Sequence, residues 1–165
     1  MVYIPDEVFD ELWDKYNKKV YSYFRRQFDE DTAEDLSQQT FMKVWQYLFS
    51  YQGKINKPKQ WIFAVAKNVR NDYLRSVQSK KVIHYYNELY ENEIPVEYDF
   101  DEALSIQIAM KKLTVEEREL LSVSRYLSSR ETGSLYGISA SAARSRVQKV
   151  KAKLKSFLEE AGVNV

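Results

Sequence analysis

The chain has 165 residues, 44% hydrophobic and 15% aromatic, enough to bury one moderate core or two small ones and too apolar for a disordered or fibrous chain. It contains no cysteine, which excludes disulfides and cysteine-based metal sites or nucleophiles and suits a reducing compartment. Net charge is +1, no apolar run nears the roughly 20 residues of a membrane span, and the opening MVYIPDEVFDELW is acidic, so the chain reads as soluble, unexported and cytoplasmic.

Along the chain the charge alternates: −4 over residues 1–50, +7 over 51–81, −7 over 82–119 and +5 over 120–165. A solvated face accounts for one charge run. Two basic blocks in separate helical regions point to two contacts with a single polyanion. Only four glycines and three prolines interrupt the sequence, and apolar residues recur at steps of three and four, which predicts an all-α fold.

The first helix is expected to bury Phe9, Leu12, Trp13, Tyr16, Val20, Phe24 and Phe28 as one stripe, broken by DEDT at Asp29–Thr32. A second, from about Ala33 to Phe49, turns Leu36, Phe41, Val44, Trp45 and Leu48 inward and leaves Asp35, Gln38, Gln39, Met42 and Lys43 outward. SYQGKINKP reads as a loop, and Pro58 suits the first turn of a third helix, where its missing N–H has no intrahelical partner to lose. That helix runs to about Val77 and buries Ile62, Val65, Ala66, Val69 and Tyr73. Residues 82–101 lose the periodicity, gain acid and contain Pro95, so they read as a linker with room for a helical turn; His84, the only histidine, is read there as a surface or packing residue.

The second helical region begins near Glu102. Thr114 with Glu117 and Ser128 with Glu131 both match the capping box, in which a hydroxyl and a carboxylate exchange hydrogen bonds with backbone N–H groups at a helix start. They predict helices near 102–112, 115–126, 129–136 and 140–160. A short helix, a turn at Tyr136–Ser139 and a longer helix form the plan of a helix-turn-helix. Gly137 supplies the left-handed turn, and Gly133 is expected where the two helices approach closely. On the last helix Ala143, Val147, Val150, Leu154 and Phe157 face inward. Opposite them lie Ser141, Ser145 and Gln148, flanked by Arg144 and Lys149, which offer hydroxyls and cations to phosphates and base edges, as a major-groove helix requires.

These residues resemble a known family. DLSQQTFMKVWQ (Asp35–Gln46) is similar to the D-L-x-Q-E-T-F-x-x-x-W segment of extracytoplasmic-function (ECF, group IV) bacterial sigma-70-type sigma factors, and PKQWIFAVAKNVRNDYLRS (Pro58–Ser76) to their P-x-x-W-L-x-x-I-A-R-N-x-x-x-D-x-x-R segment. LTVEERELL and the helix-turn-helix match the fourth sigma region in placement. The resemblance implies two small helical domains: a region 2-like domain over residues 1–81 and, after the linker 82–101, a region 4-like domain over 102–165. It implies a bacterial transcription initiation factor that binds core RNA polymerase and promoter DNA, and that an anti-sigma factor holds inactive. Asp35, Gln38, Gln39, Met42 and Trp45 would dock on the polymerase clamp helices of the beta-prime subunit, with the beta flap as a further contact. Tyr51, Asn56, Lys57, Trp61, Lys67, Asn68, Arg70, Asn71 and Arg75 would hold the minus-ten element, with a flipped base captured by the loop Ser50–Pro58. Ser139, Ser141, Arg144, Ser145, Arg146, Gln148 and Lys149 would bind the minus-35 element. The chain departs from the pattern at Thr132 and Ala143, where the family carries aliphatic side chains, which predicts a thinly packed second domain.

Two other readings compete. A free-standing helix-turn-helix repressor or activator would bind duplex tightly without polymerase. A helical hydrolase would need converging carboxylates, but the pairs Glu34–Asp35 and Glu116–Glu117 are adjacent on helices and point about 100° apart. No catalytic residue, metal ligand or cofactor is therefore assigned, and the chain reads as a non-enzyme.

Overall fold

The computed structural model describes residues 4–51, 54–79 and 100–163. Every regular element in them is a helix: α1 (Pro5–Arg25), α2 (Glu30–Ser50), α3 (Pro58–Ser79), α4 (Phe100–Lys111), α5 (Val115–Ser124), α6 (Ser129–Tyr136) and α7 (Ala140–Glu160). The chain divides into two compact units, Met1–Ile83 and His84–Val165. Most of the expected linker, His84 included, lies outside the described residues; residues 100 and 101 open α4.

In the first unit, prolines open α1 and α3, where an absent N–H costs no bond. The segment expected to break the chain before α2 is its cap: the Asp29 carboxylate accepts from the Thr32 backbone N–H at 2.9 Å and from its hydroxyl at 2.8 Å. The helix therefore starts at Glu30, three residues earlier than the apolar pattern indicates. The core joins Val20, Tyr23, Phe24 and Phe28 to Leu36, Phe41, Val44 and Leu48 of α2 and to Ile62, Phe63, Ala66 and Val69 of α3. Its aromatic rings meet edge to face, Tyr23 with Phe63 at 5.8 Å and Phe28 with Tyr73 at 5.3 Å.

Two tryptophans expected inside are not: Trp13 and Trp45 are each 41% exposed. On α1 the stripe Leu12, Tyr16, Val20, Tyr23 is already complete, and on α2 so is Phe41, Val44, Leu48. Each tryptophan follows a stripe residue and is carried about 100° round the helix to its flank. There Trp13 lies 4.8 Å from Phe41, and Trp45 lies 5.0 Å from Phe49. Phe63, rather than the half-buried Val65 and Tyr73, fills the centre of α3's inner face.

The second unit is assembled by its turns. Both capping boxes form, with Thr114 and Glu117 opening α5 and Ser128 and Glu131 opening α6. Gly137 ends α6 at φ +67°, and the Ile138 N–H closes the turn on the Gly133 carbonyl at 2.9 Å. A Cβ on Gly133 would sit 2.6 Å from the Ile138 carbonyl oxygen, so the close approach here is by the turn backbone that leads into α7. The apolar centre is small: Leu113, Leu120 and Val150 are buried, with Met110, Leu121, Tyr136, Val147, Leu154 and Phe157 packed partly around them. Thr132 and Ala143 are fully inside, occupying little volume where α6 meets α7.

Candidate nucleic-acid interface

The α2–α3 junction of the first unit forms a cleft of about 490 Å³ lined by Tyr47, Tyr51, Lys54, Ile55, Asn56, Lys57, Gln60, Trp61 and Ala64. Its aromatic wall is continuous: Tyr47 lies 5.2 Å from Tyr51 and 4.8 Å from Trp61. Tyr51, Lys54, Asn56 and Lys57 are exposed, and Trp61 is half-buried. Ring faces beside lysine amines suit an unstacked base and its phosphates. Tyr47 and Lys54 were absent from the sequence-based set; their signal was spacing, since Tyr47 stands one turn before Tyr51 and Lys54 sits in the same basic loop as Lys57.

From this cleft a strip runs along α3 at helical spacing through Trp61, Ala64, Asn68, Asn71 and Arg75. Asn68 and Arg75 are exposed, while Lys67 and Asn71 are half-buried. Arg75 forms a surface ion pair with Asp72 at 2.9 Å. Tyr73, expected inward, packs against Phe28.

Arg70 departs from its expected place on this surface: it is 3% exposed. About 100° round the helix from Val69, it points at the end of α1, where its Nε donates to Gln27 Oε1 at 2.6 Å and an Nη donates to Asn71 Oδ1 at 3.0 Å. Gln27 is itself buried and donates to the Tyr23 carbonyl at 2.9 Å. A guanidinium so enclosed keeps these bonds rather than reaching for phosphate.

On α2 the residues expected to meet polymerase, Asp35, Gln38, Gln39, Met42 and Trp45, are all exposed. Phe49, 57% exposed with its ring tilted against Trp45 at 5.0 Å, extends that apolar ridge by a turn, which an inward Trp45 would conceal.

On α7, Ser141, Arg144, Ser145, Arg146, Gln148 and Lys149 are exposed, opposite buried Ala143 and Val150. Ser139 is exposed as well, but its hydroxyl caps α7 by accepting from the Ala142 N–H at 3.1 Å. Arg146 and Lys149 also edge an apolar cleft of about 300 Å³ whose floor includes Leu120, Tyr136, Ile138 and Val150. The Tyr136 hydroxyl donates to the buried Glu119 carboxylate, tying α6 to α5, a pairing that sequence spacing did not expose. Among the described residues no three His, Cys, Asp or Glu side chains gather as a metal site, and no helix is long and apolar enough to cross a membrane.

The family description Sigma-70 region 2 matches residues 12–80, the segment that holds the cleft, the α3 strip and the α2 ridge. Over 156 residues, covering 91% of this chain and 86% of the relative, the sequence is 29% identical to RNA polymerase sigma factor SigZ of Bacillus subtilis. Over 75 residues, 45% of each chain, it is 36% identical to the ECF RNA polymerase sigma factor SigM of the same organism. The chain is thus similar to ECF sigma factors of the sigma-70 family, over region 2 and at lower identity over most of its length. Two solved structures share the fold of this chain. CnrH in complex with the cytosolic domain of CnrY aligns at TM-score 0.67 and 19% identity, covering 94% of this chain and 90% of that one. The sigma factor RpoE in complex with the anti-sigma factor NepR, from Bartonella quintana, aligns at TM-score 0.67 and 20% identity, covering 93% and 98%. The aromatic cleft of this chain thus falls within the segment matched to region 2, and the helix-turn-helix lies beyond it.

Proposed function

We propose that the chain is a promoter-specificity subunit that binds core RNA polymerase, directs it to promoters and helps to melt them, itself catalysing nothing. The carrying observation is that one chain joins an aromatic-walled, lysine-edged cleft to a helix-turn-helix whose second helix exposes Arg144, Ser145, Gln148 and Lys149. Duplex recognition needs only the latter; the cleft adds a receptor for bases that have left the stack.

In this reading the first unit, residues 1–81, docks on polymerase through Asp35, Gln38, Gln39, Met42 and Trp45 and holds the melted minus-ten element along Tyr51, Asn56, Lys57, Trp61, Lys67, Asn68, Asn71 and Arg75. The second, residues 102–165, reads the minus-35 duplex through α7. Unstacking a base costs a few kcal/mol, and stacking on an aromatic ring returns about 1–3 kcal/mol per base, so capture in the cleft offsets much of the cost of melting. Joining two weak contacts on one polymerase raises the effective concentration of the second, which gives selectivity without tight binding by either alone. When the chain is off polymerase, an anti-sigma factor covers the exposed ridge of Met42, Trp45 and Phe49 in the bacterial cytoplasm.

The test is run-off transcription with purified core polymerase on a genomic promoter library. Start sites should depend on this chain, and Tyr51→Ala or Lys57→Ala should reduce open complexes more than closed ones. If no start site depends on the chain, or if the chain alone binds duplex as tightly as the holoenzyme does, the reading fails, the second outcome pointing to a free-standing regulator.

A further inference from the structure

Arg70 is buried beside the strip and hydrogen-bonded to one of its residues, Asn71. A guanidinium has donors only, so the amide of Asn71 must turn its oxygen towards it, as the 3.0 Å bond to Oδ1 records. Arg70 is in turn anchored by Gln27, which is 1% exposed and hydrogen-bonded to the α1 backbone. Asn71 therefore cannot flip without breaking its bond to the Arg70 guanidinium and setting its own amide N–H groups against guanidinium N–H groups, donor against donor, which is costly beside a buried cation. Its Nδ2 has no partner among the described residues, and no side-chain nitrogen or oxygen there is both buried and unpartnered, so Nδ2 reaches solvent. Asn68, one turn earlier on the strip, makes no such bond and can present either end of its amide.

We infer that Asn71 is a specificity-determining residue with a fixed polarity: it offers hydrogen-bond donors to a promoter base, with Arg70 as the positioning residue that locks it. The inference rests on the promoter-melting reading above and adds a chemical class of ligand. Where the locked donor meets a base's exocyclic group it selects keto bases, whose thymine O4 or guanine O6 accepts there, over amino bases, whose adenine N6 or cytosine N4 donates there; ring acceptors such as purine N7 do not discriminate. A free asparagine would accommodate both.

The experiment uses the full chain with core polymerase on a promoter library randomised through the minus-ten element, scoring base preference at each position after normalising to total initiation. The wild type should favour thymine or guanine at one position by roughly tenfold, the scale of one well-made base contact. Asn71→Asp keeps an acceptor for Arg70 but replaces the donor face with an acceptor, so preference at that position should reverse towards adenine or cytosine. The double variant Gln27→Leu/Arg70→Met replaces the lock with apolar groups of similar reach and should flatten that one preference, leaving the others as they were. A role for Arg70 in folding alone would lower initiation without moving any base preference, and that result overturns the lock. Unchanged preferences with Asn71→Asp, or a uniform loss that puts the amide on the phosphate backbone, overturn the inference while leaving the sigma reading standing. Wild-type protein that supports no initiation overturns that reading first, and the inference with it.

Discussion

The two units reach stability by different means. The first has a deep aromatic centre, with Tyr23, Phe24, Phe28 and Phe63 fully enclosed between three helices of about equal length. Among its described residues the second encloses no aromatic ring, burying aliphatic and small residues with the charged Arg118 and Glu119, and invests in its helix ends: two capping boxes, a serine cap on α7, a left-handed glycine and a Glu119–Tyr136 tie. Burying a large ring stabilises by about 1.5–3 kcal/mol and a cap by about 1 kcal/mol, so change at the turns should cost the second unit a larger share of its stability than the first. The division suits their proposed tasks: a platform that must stay rigid while bases are pulled into it, and a small reading head whose helices need only be held at the right angle.

The comparison breaks most sharply at Phe63. Phe63→Ala should cost about 3–5 kcal/mol, since the ring has neighbours on all sides and its removal leaves a cavity that three helices cannot close. Hydrogen exchange resolved by peptide should show α1–α3 losing protection; retained protection would mean that the aromatic centre is dispensable. In the second unit, Gly133→Ala sets a methyl against the Ile138 carbonyl at 2.6 Å, and backbone cannot step aside as a flexible side chain would. Overpacking of this kind costs about 1–3 kcal/mol, against roughly 1 kcal/mol gained in helix propensity. The expected net effect is a loss read as faster exchange in α6 and the start of α7, with weaker minus-35 dependence in transcription. A more stable protein would show that the turn has slack.

Next in size are the caps. Thr114→Ala and Ser128→Ala should each cost about 1 kcal/mol in urea unfolding monitored on the second unit, whereas an equivalent loss at Asp29 should register less because the α2 start is pinned by buried Ala33 and Leu36 beside it. Equal effects at all three caps would erase the proposed contrast between the units.

These caps were also the most legible part of the chain. A capping box joins residues three apart, so Thr114–Glu117 and Ser128–Glu131 could be read from spacing, as could Gly137, whose backbone conformation is a local requirement. The exposed face of α7 followed from one helix's own periodicity. Decisions made between helices were not legible. Whether Leu12 or Trp13, Val44 or Trp45 faces the core depends on where a neighbour lies, and the two positions differ by only about 100°. Arg70 is the clearest case: its partner Gln27 is 43 residues away, and no local pattern distinguishes a buried guanidinium from one aimed at phosphate. The cleft was half visible, as its loop was readable from composition while the Tyr47 wall came from a helix face read as merely outward.

The smallest expected effect is a pH dependence confined to the second unit. Burial alone would raise the pKa of Glu117, but the Thr114 backbone N–H at 2.9 Å and the Lys153 ammonium at 2.9 Å outweigh it and hold the carboxylate below its ordinary value. A group whose pKa is lower folded than unfolded adds stability above its unfolded pKa, about 4.3 for glutamate, and that contribution is lost as pH falls through the folded value. Glu117→Gln preserves an acceptor for the Thr114 N–H while deleting the charge. The variant should be less stable than wild type at neutral pH, and the gap should close as the medium is acidified below the unfolded pKa. Because the Lys153 side chain is 41% exposed, salt screens the pair, and high ionic strength should narrow the neutral-pH gap as well. A gap that persists unchanged through acid would mean that Glu117 acts by packing alone, and the link from the α5 cap to the middle of α7 would then owe nothing to charge.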